Sequence, residues 1–162
     1  MRIDDDLFAL GIALGRAALA KGAMISTAES CTGGLLAGAI TAVAGSSDWF
    51  ERGFVTYSNA SKSEQLFVPK ELIERFGAVS EEVARAMAEG ALRASHAQWA
   101  IAVTGIAGPT GGTAGKPVGT VCFAWAGPAG AVSELRLLPG DRASIRRDSV
   151  AIALRGLIDR LA

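Results

Sequence analysis

Two potential nucleophiles, Ser30 and Cys31, stand side by side in AESCTGG, immediately before an apolar stretch with helical character. A hydroxyl at a strand-to-helix turn lies near unpaired backbone N–H groups that can hold an oxyanion. A thiol at a helix N-terminus has a lowered pKa and is intrinsically reactive. Two simpler interpretations are also open, and from position alone they are favoured. Ser30 or Thr32 only caps the helix, or Cys31 is a small buried hydrophobic side chain.

Few residues are candidates for the general base, because the chain has one histidine, His96. His96 precedes a strand-like segment and is predicted to lie at the opposite edge of the sheet from the glycine-rich turns, which disfavours a histidine-dependent triad. A desolvated lysine can be neutral near pH 7 and take a proton. Lys62 in TYSNASK is the best placed lysine, with Tyr57 as a relay or hydrogen-bonding partner. A solvated surface lysine and an ordinary strand tyrosine are the alternatives.

The glycine-rich loop over residues 105–117 is a third candidate segment. It is not a Walker-type phosphate loop, because Pro117 follows Lys116 where that motif needs serine or threonine. The backbone N–H groups at 105–108 and the Thr104 hydroxyl are predicted to line a pocket, with a flexible hairpin or lid as the alternative. Arg142, near the start of the last helix, is a candidate phosphate ligand or a partner in a surface salt bridge.

The elements that position these residues follow from hydrophobic periodicity and capping residues. Helices are predicted over 5–21, 35–44, 62–66, 69–77, 80–95 and 141–161, and strands over 23–28, 54–58, 99–104, 118–126 and 133–138. Polar, glycine-rich turns follow three of the strands, and such turns gather at the carboxyl ends of parallel strands. The pattern therefore predicts one layered α/β domain over residues 1–162, with the turns at 29–34, 57–62 and 104–117 close together.

Composition narrows the class of partner. Acidic and basic residues balance at 16 each, so the chain lacks the overall field that attracts nucleic acid or an acidic membrane. Two cysteines and one histidine cannot form a closed four-ligand zinc site. The acidic N-terminus and the lack of a long apolar run predict a cytoplasmic protein that acts on a small molecule.

Five segments, TAESCTGG, AGSSDWFERGFVTYSNASK, GAVSEEVA, TGIAGPTGGTAGKPVGTV and GDRASIRRDSV, closely resemble in type, order and spacing the C-terminal domain of the CinA family, the competence- and damage-inducible proteins. This resemblance implies a three-layer α/β/α sandwich with a mixed, mostly parallel sheet. Stand-alone members of the family are nicotinamide-nucleotide amidases, which convert nicotinamide mononucleotide to nicotinate mononucleotide and ammonia. The resemblance thus implies this activity on a small nucleotide, without metal or organic cofactor, in a protein that forms a homo-oligomer such as a dimer.

The same resemblance implies roles for individual residues. Ser30 is the implied nucleophile, Lys62 its base and Tyr57 the third catalytic residue. The residues implied to bind substrate are Thr32, Gly33, Gly34, Ser46, Asn59, Thr104, Gly105 and, for the phosphate, Arg142. Phe67 stands where the family pattern has glycine, and we expect its side chain to reshape the wall beside Lys62.

Two other function classes stay open on the sequence. One is a non-catalytic nucleotide-binding or competence-associated module, which predicts ligand binding without turnover. The other is a thiol-dependent hydrolase, which predicts inactivation by alkylation of Cys31.

Overall fold

The computed structural model describes residues 2–162. The helices are α1 (Asp5–Lys21), α2 (Leu35–Thr41), α3 (Asn59–Leu66), α4 (Lys70–Phe76), α5 (Glu81–Arg93) and α6 (Arg142–Leu161). The strands are β1 (Ile25–Glu29), β2 (Phe50–Val55), β3 (Trp99–Gly105), β4 (Thr120–Gly127) and β5 (Gly130–Leu137), and a 3₁₀ turn spans Ser46–Asp48. None of the helices within residues 2–162 is both long and apolar enough to cross a membrane.

The strands form one mixed sheet in the order β2-β1-β3-β4-β5. The pairs β1–β2 and β1–β3 are parallel, whereas β3–β4 and β4–β5 are antiparallel. Four strands therefore run in one direction and only β4 is reversed. The carboxyl ends of β1, β2 and β3 consequently lie at the same end of the sheet, which is where ligands bind in folds of this kind.

Helices cover both faces of the sheet, so the predicted three-layer α/β/α arrangement is confirmed. Ile101 and Val103 pack with α1, α2 and α6, whereas Ala100 and Ala102 pack with α3, α4 and α5. This division follows from the alternation of side chains along a strand. The second face is built mostly of alanine and other small side chains, so α5 lies close to the sheet.

Most predicted elements match the structure, and β2 shows the largest difference. It was expected at 54–58 but begins at Phe50, because Glu51 and Arg52 belong to an edge strand where charged side chains reach solvent. Gly53 is required inside this strand, since a Cβ there would lie 2.7 Å from the Thr27 hydroxyl oxygen. Helix α2 also ends earlier than predicted, at Thr41.

Phe67 ends α3 in the left-handed conformation, with φ 59° and ψ 23°. It is the one non-glycine residue with positive φ in the part of the chain that the structure describes. Its side chain is 53% exposed, and the Arg93 guanidinium lies 5.5 Å from the ring centroid. The glycine of the family pattern is thus explained by backbone conformation, since glycine adopts positive φ without a steric cost.

We expect Phe67→Gly to be more stable than Phe67→Ala by about 1 kcal/mol, because the left-handed conformation costs an L-residue about 1–2 kcal/mol. Both variants lose the ring and its contact with Arg93, so the alanine variant is the matched control. Urea denaturation of the two variants measures the difference in free energy of unfolding. Equal stability would contradict strain at this helix end.

Candidate active site

The three polar turns meet at the carboxyl ends of β1, β2 and β3, as the sequence predicts. They enclose a cavity of about 340 Å³, which is within the range of small-molecule sites. Ser30 and Cys31 come from the first turn, Tyr57 and Asn59 from the second, and residues 104–108, 110 and 111 from the third. The remaining lining residues are Lys62 of α3, Ala78 and Val79 before α5, and Arg142 of α6.

Ser30 is held in place by the sheet and by a tight turn. Its backbone N–H donates to the carbonyl of Val103 on β3 at 2.9 Å, which extends the strand pairing one residue beyond β1. Its carbonyl accepts from the N–H of Gly33 at 3.0 Å. Gly33 and Gly34 both have positive φ, at 57° and 101°, which glycine adopts readily. The Ser30 hydroxyl is therefore fixed at the end of β1, facing the cavity.

Glu29 is a buried residue that the sequence analysis did not single out. Its carboxylate accepts hydrogen bonds from the backbone N–H groups of Gly34, Leu36 and Ala37, at 3.2, 2.9 and 3.0 Å. Glu29 thus caps α2 from the end of β1, and the interpretation of Ser30 or Thr32 as the helix cap is wrong. The one available signal was a carboxylate shortly before a helix whose N-cap residue is glycine.

Arg146 of α6 supports the same turn from the other side. Its Nε donates to the Cys31 carbonyl and its Nη2 to the Thr32 carbonyl, both at 3.1 Å. No local pattern in the sequence predicts these contacts, because Arg146 and Cys31 are 115 positions apart. The Glu29 carboxylate accepts from backbone N–H groups at the start of α2, and the Arg146 guanidinium donates to backbone carbonyls of the preceding turn. Two charged side chains therefore hold the backbone that follows Ser30.

Lys62 is buried, so its interpretation as a solvated surface lysine is wrong. Helix α3 begins after Ser58, whose hydroxyl caps the Ser61 N–H at 3.1 Å, and this places Lys62 on the first turn facing the sheet. Its side chain is 1% exposed. Its Nζ lies 3.1 Å from Ser30 Oγ and donates to the Thr56 carbonyl at 2.9 Å.

Burial lowers the pKa of the Lys62 amine below its ordinary value. No carboxylate within residues 2–162 forms an ion pair with this amine to oppose the shift. A neutral amine has two N–H donors and one lone pair. In that form the Thr56 and Tyr57 carbonyls, at 2.9 and 3.5 Å, would accept the two donors, and the lone pair would be free to accept from the Ser30 hydroxyl.

Cys31 has the opposite environment from the one that activates a thiol. Burial, together with the charge of the nearby Glu29 carboxylate, raises the pKa of its thiol to about 12. The lowering expected from a helix N-terminus is not realised, because Glu29 already occupies that end of α2. Cys31 is therefore a buried, protonated thiol beside the site, consistent with its simpler interpretation.

Tyr57 and Arg142 form a bridge at the mouth of the cavity. The Tyr57 side chain is 61% exposed, and its hydroxyl accepts from Arg142 Nη2 at 3.2 Å. Arg142 Nη1 donates to the Gly108 carbonyl at 2.8 Å. The Tyr57 phenol is therefore hydrogen-bonded to Arg142. The phenol itself forms no hydrogen bond with Ser30 or with Lys62 within residues 2–162. Within residues 2–162 Arg142 forms no ion pair, so the salt-bridge interpretation does not apply.

The other predicted site residues divide into two groups. Asn59, Thr104 and Gly105 line the cavity, and the Thr104 hydroxyl donates to the Ala78 carbonyl at 2.9 Å. The residues Thr32, Gly33 and Gly34 belong to the turn that shapes the Ser30 backbone and do not line the cavity.

Three more residues lie away from the site. Ser46 is in the 3₁₀ turn that precedes β2, so the length of that strand separates it from the cavity, and its assignment to the substrate pocket is corrected. His96 precedes β3 and is likewise at the far end. Phe67 does not line the cavity, so the expectation that its side chain reshapes the wall beside Lys62 is wrong.

The described residues include no cluster of three or more histidine, cysteine, aspartate or glutamate side chains suited to hold a metal ion. The two reactive groups that contact each other in the cavity are the Ser30 hydroxyl and the buried Lys62 amine. This combination is one of the ways in which proteins activate a serine for acyl transfer.

The fold and the site together define a class of protein. It is an α/β/α protein in which a serine and a buried lysine are in contact at the carboxyl ends of the strands. The chain belongs to the CinA family, since the model of the CinA C-terminal domain matches residues 9–161.

Similar proteins include amidohydrolases and competence-related proteins. The chain is 52% identical to the nicotinamide-nucleotide amidohydrolase PncC of Pseudomonas putida over 95% of its length and 96% of the relative's. It is 50% identical to PncC of Escherichia coli K12, over 95% and 94%. The solved structure of the competence/damage inducible protein CihA from Agrobacterium tumefaciens has a TM-score of 0.94 and 46% identity, with 98% of each chain covered.

We expect Cys31 to react slowly with iodoacetamide at pH 7.5, because its thiol is buried and protonated there. The rate in the folded protein should be roughly a hundredfold or more below that in the unfolded protein, and it should rise with pH as the thiolate forms. A Cys122→Ala background isolates the reaction at Cys31. Mass spectrometry of timed samples measures the rate, and fast labelling of the folded protein would contradict the assignment.

Proposed function

We propose that this protein is a nicotinamide-nucleotide amidohydrolase that uses Ser30 as nucleophile and Lys62 as general base. The observation that carries the proposal is the 3.1 Å contact between Lys62 Nζ and Ser30 Oγ inside the cavity. The names of the relatives that are about half identical over almost the whole chain supply the substrate class. The substrate is nicotinamide mononucleotide, and the products are nicotinate mononucleotide and ammonia.

The first half of the reaction forms an acyl-enzyme. Neutral Lys62 takes the Ser30 hydroxyl proton as Oγ forms a bond to the carboxamide carbon. The proton now on Lys62 passes to the carboxamide nitrogen as the carbon–nitrogen bond breaks, and ammonia leaves. In the second half Lys62 takes a proton from water, the hydroxide attacks the acyl carbon, and the proton returns to Ser30 Oγ. Lys62 is neutral again at the end of the cycle.

The oxyanion of each tetrahedral intermediate needs backbone donors close to Ser30. The first-turn amides of α2, which the sequence analysis favoured, are engaged by Glu29. The N–H group of Cys31, a residue that lines the cavity, finds no backbone acceptor within residues 2–162. We therefore assign the oxyanion to this amide, and the hydrogen bonds that Arg146 makes to the Cys31 and Thr32 carbonyls fix the turn that carries it.

The substrate phosphate is assigned to Arg142 at the cavity mouth. Among residues 2–162 its guanidinium donates only to uncharged oxygens, those of Gly108 and Tyr57, so an incoming phosphate would supply an anionic partner. The nicotinamide ring is assigned to the apolar wall of Ala78, Val79 and Ile106. In this arrangement Tyr57 contributes to the site by holding Arg142. The predicted cytoplasmic location and lack of nucleic-acid and membrane partners stay predictions.

We expect purified wild-type protein to release ammonia from nicotinamide mononucleotide, and Ser30→Ala and Lys62→Ala to reduce kcat by about a thousandfold or more. Loss of the nucleophile or of the base removes the step that forms the acyl-enzyme. A coupled ammonia assay measures the rate, and a thermal melt checks that each variant is folded.

Cys31→Ala is the matched control, because it changes the adjacent side chain and leaves Ser30 and Lys62 in place. Retained turnover in this variant excludes the thiol as nucleophile. A folded wild-type protein that binds nicotinamide mononucleotide by calorimetry but releases no ammonia would instead support the non-catalytic module.

We expect Arg142→Ala to raise KM for nicotinamide mononucleotide by about tenfold or more and to change kcat little, because a charge-assisted contact to the phosphate is lost. With nicotinamide riboside, which has no phosphate, the variant and wild type should be similar. Arg155→Ala is the control, since Arg155 is an exposed arginine on the same helix outside the cavity. Equal losses on both substrates would contradict the phosphate assignment.

A further inference from the structure

The glycine-rich loop after β3 lines part of the cavity, but its backbone is weakly connected to the rest of the protein. Backbone pairing with the β4 side continues only as far as Ile106. Over residues 107–116, the loop segment, the backbone forms no backbone hydrogen bond to any other part of residues 2–162. Thr110 and Gly111 are exposed and still line the cavity. The position of this part of the lining therefore depends on side-chain contacts.

Two cationic side chains supply the hydrogen bonds that connect the loop segment to the rest of residues 2–162. Arg142 Nη1 donates to the Gly108 carbonyl at 2.8 Å, near the start of the segment. Lys116 Nζ donates to the Phe76 carbonyl at 2.7 Å, from the end of the segment. Lys116 does not line the cavity, and it forms no ion pair within residues 2–162. Its ammonium group therefore serves the contact with Phe76.

The carbonyl that this lysine contacts begins the short connection between α4 and α5. Phe76 is the last residue of α4, and the final carbonyls of a helix have no partner inside the helix. The next two carbonyls, those of Gly77 and Ala78, accept from the hydroxyls of Ser80 and Thr104 at 2.8 and 2.9 Å. Side-chain donors thus hold three consecutive carbonyls of a connection that has no regular secondary structure.

The same connection carries one part of the apolar lining of the cavity. Ala78 and Val79 belong to the connection, and Ile106 lies directly before the loop segment. The Thr104 hydroxyl fastens the connection to β3, so the connection keeps one anchor on the sheet without Lys116. The end of the loop segment has no such second anchor within residues 2–162. Removing the ammonium group would therefore release the loop and leave the sheet and the connection in place.

We propose that Lys116 is a positioning residue that fixes the shape of the ring-binding part of the cavity by tying the loop segment to the connection between α4 and α5. The proposal rests on the proposed function, which assigns the nicotinamide ring to this lining. Ser30 and Lys62 are positioned by β1 and α3, so the tie acts on binding and leaves the chemical step unchanged. A site that is ordered before binding loses less conformational entropy when the ligand binds.

The test removes the ammonium group and keeps the length of the side chain. Lys116→Met should raise KM for nicotinamide mononucleotide by about tenfold and change kcat by less than about twofold, because only the order of the free site is lost. With nicotinamide riboside, kcat/KM should fall by the same factor, since both substrates have the ring. Lys116→Arg keeps a cationic donor and should recover most of the wild-type KM.

The matched control is Lys21→Met, the same substitution at an exposed lysine that ends α1, and it should leave KM and kcat unchanged. Circular dichroism checks the fold of each variant. If Lys116→Met does not fold, Lys116→Gln replaces it, because the shorter, neutral side chain also loses the tie. A loss confined to nicotinamide mononucleotide would overturn the proposal, since it would make Lys116 a phosphate ligand. A fall in kcat at unchanged KM would also overturn it.

Hydrogen exchange tests the same tie without turnover. In Lys116→Met, peptides that cover residues 107–116 should exchange about tenfold faster than in the wild type, because local opening is easier, and peptides of α5 should be unchanged. Mass spectrometry of timed samples measures the rates. If the wild type releases no ammonia, the proposed function fails, and hydrogen exchange still decides whether Lys116 holds the loop. Equal exchange in the wild type and in Lys116→Met would overturn the proposal.

Discussion

The site depends on burying the amine of Lys62, which has no carboxylate partner among residues 2–162. Such burial is costly for a charged ammonium, so it favours the neutral amine. The cost is limited because the Thr56 and Tyr57 carbonyls accept the amine's N–H groups, which leaves its lone pair directed at Ser30. A carboxylate in the same place would hold the lysine charged and remove its capacity as a base. The absence of an ion pair is thus as important for the proposed chemistry as the 3.1 Å contact with Ser30.

Two charged side chains near the site, Glu29 and Arg146, form hydrogen bonds with backbone groups and not with Lys62. Glu29 takes three amides at the start of α2, and Arg146 takes two carbonyls of the preceding turn. These contacts fix the conformation of the residues that follow Ser30 without placing a charge against Lys62. A turn held in this way needs no rearrangement to present its amides to an oxyanion, and preorganised donors of this kind stabilise a transition state most strongly.

Local signals predicted the elements well and the contacts between them less well. Ser80 and Asp141 each cap a helix at the predicted place, because capping depends on residues only three positions away. Ser30 and Lys62 are 32 positions apart, and only the parallel order of β1 and β2 brings them together. Periodicity gives no information on such a distance. The expected gathering of polar turns at parallel strand ends makes Lys62 a candidate base for Ser30, and the family resemblance favours the same pair. The burial that raises the pKa of Cys31 depends in the same way on the packed structure.

The cap by Glu29 also decides where a phosphate can bind. A helix N-terminus is the usual anion site at the strand ends of an α/β sheet, and α2 is positioned to provide one. Its free amides are already used by a carboxylate of the protein, so an anionic ligand would compete with Glu29 and meet a like charge. The guanidinium of Arg142 is the positive group that remains at the cavity mouth, and its partners there are uncharged. In the proposed arrangement, the Tyr57 hydroxyl that holds Arg142 therefore serves phosphate binding more directly than proton transfer at Ser30.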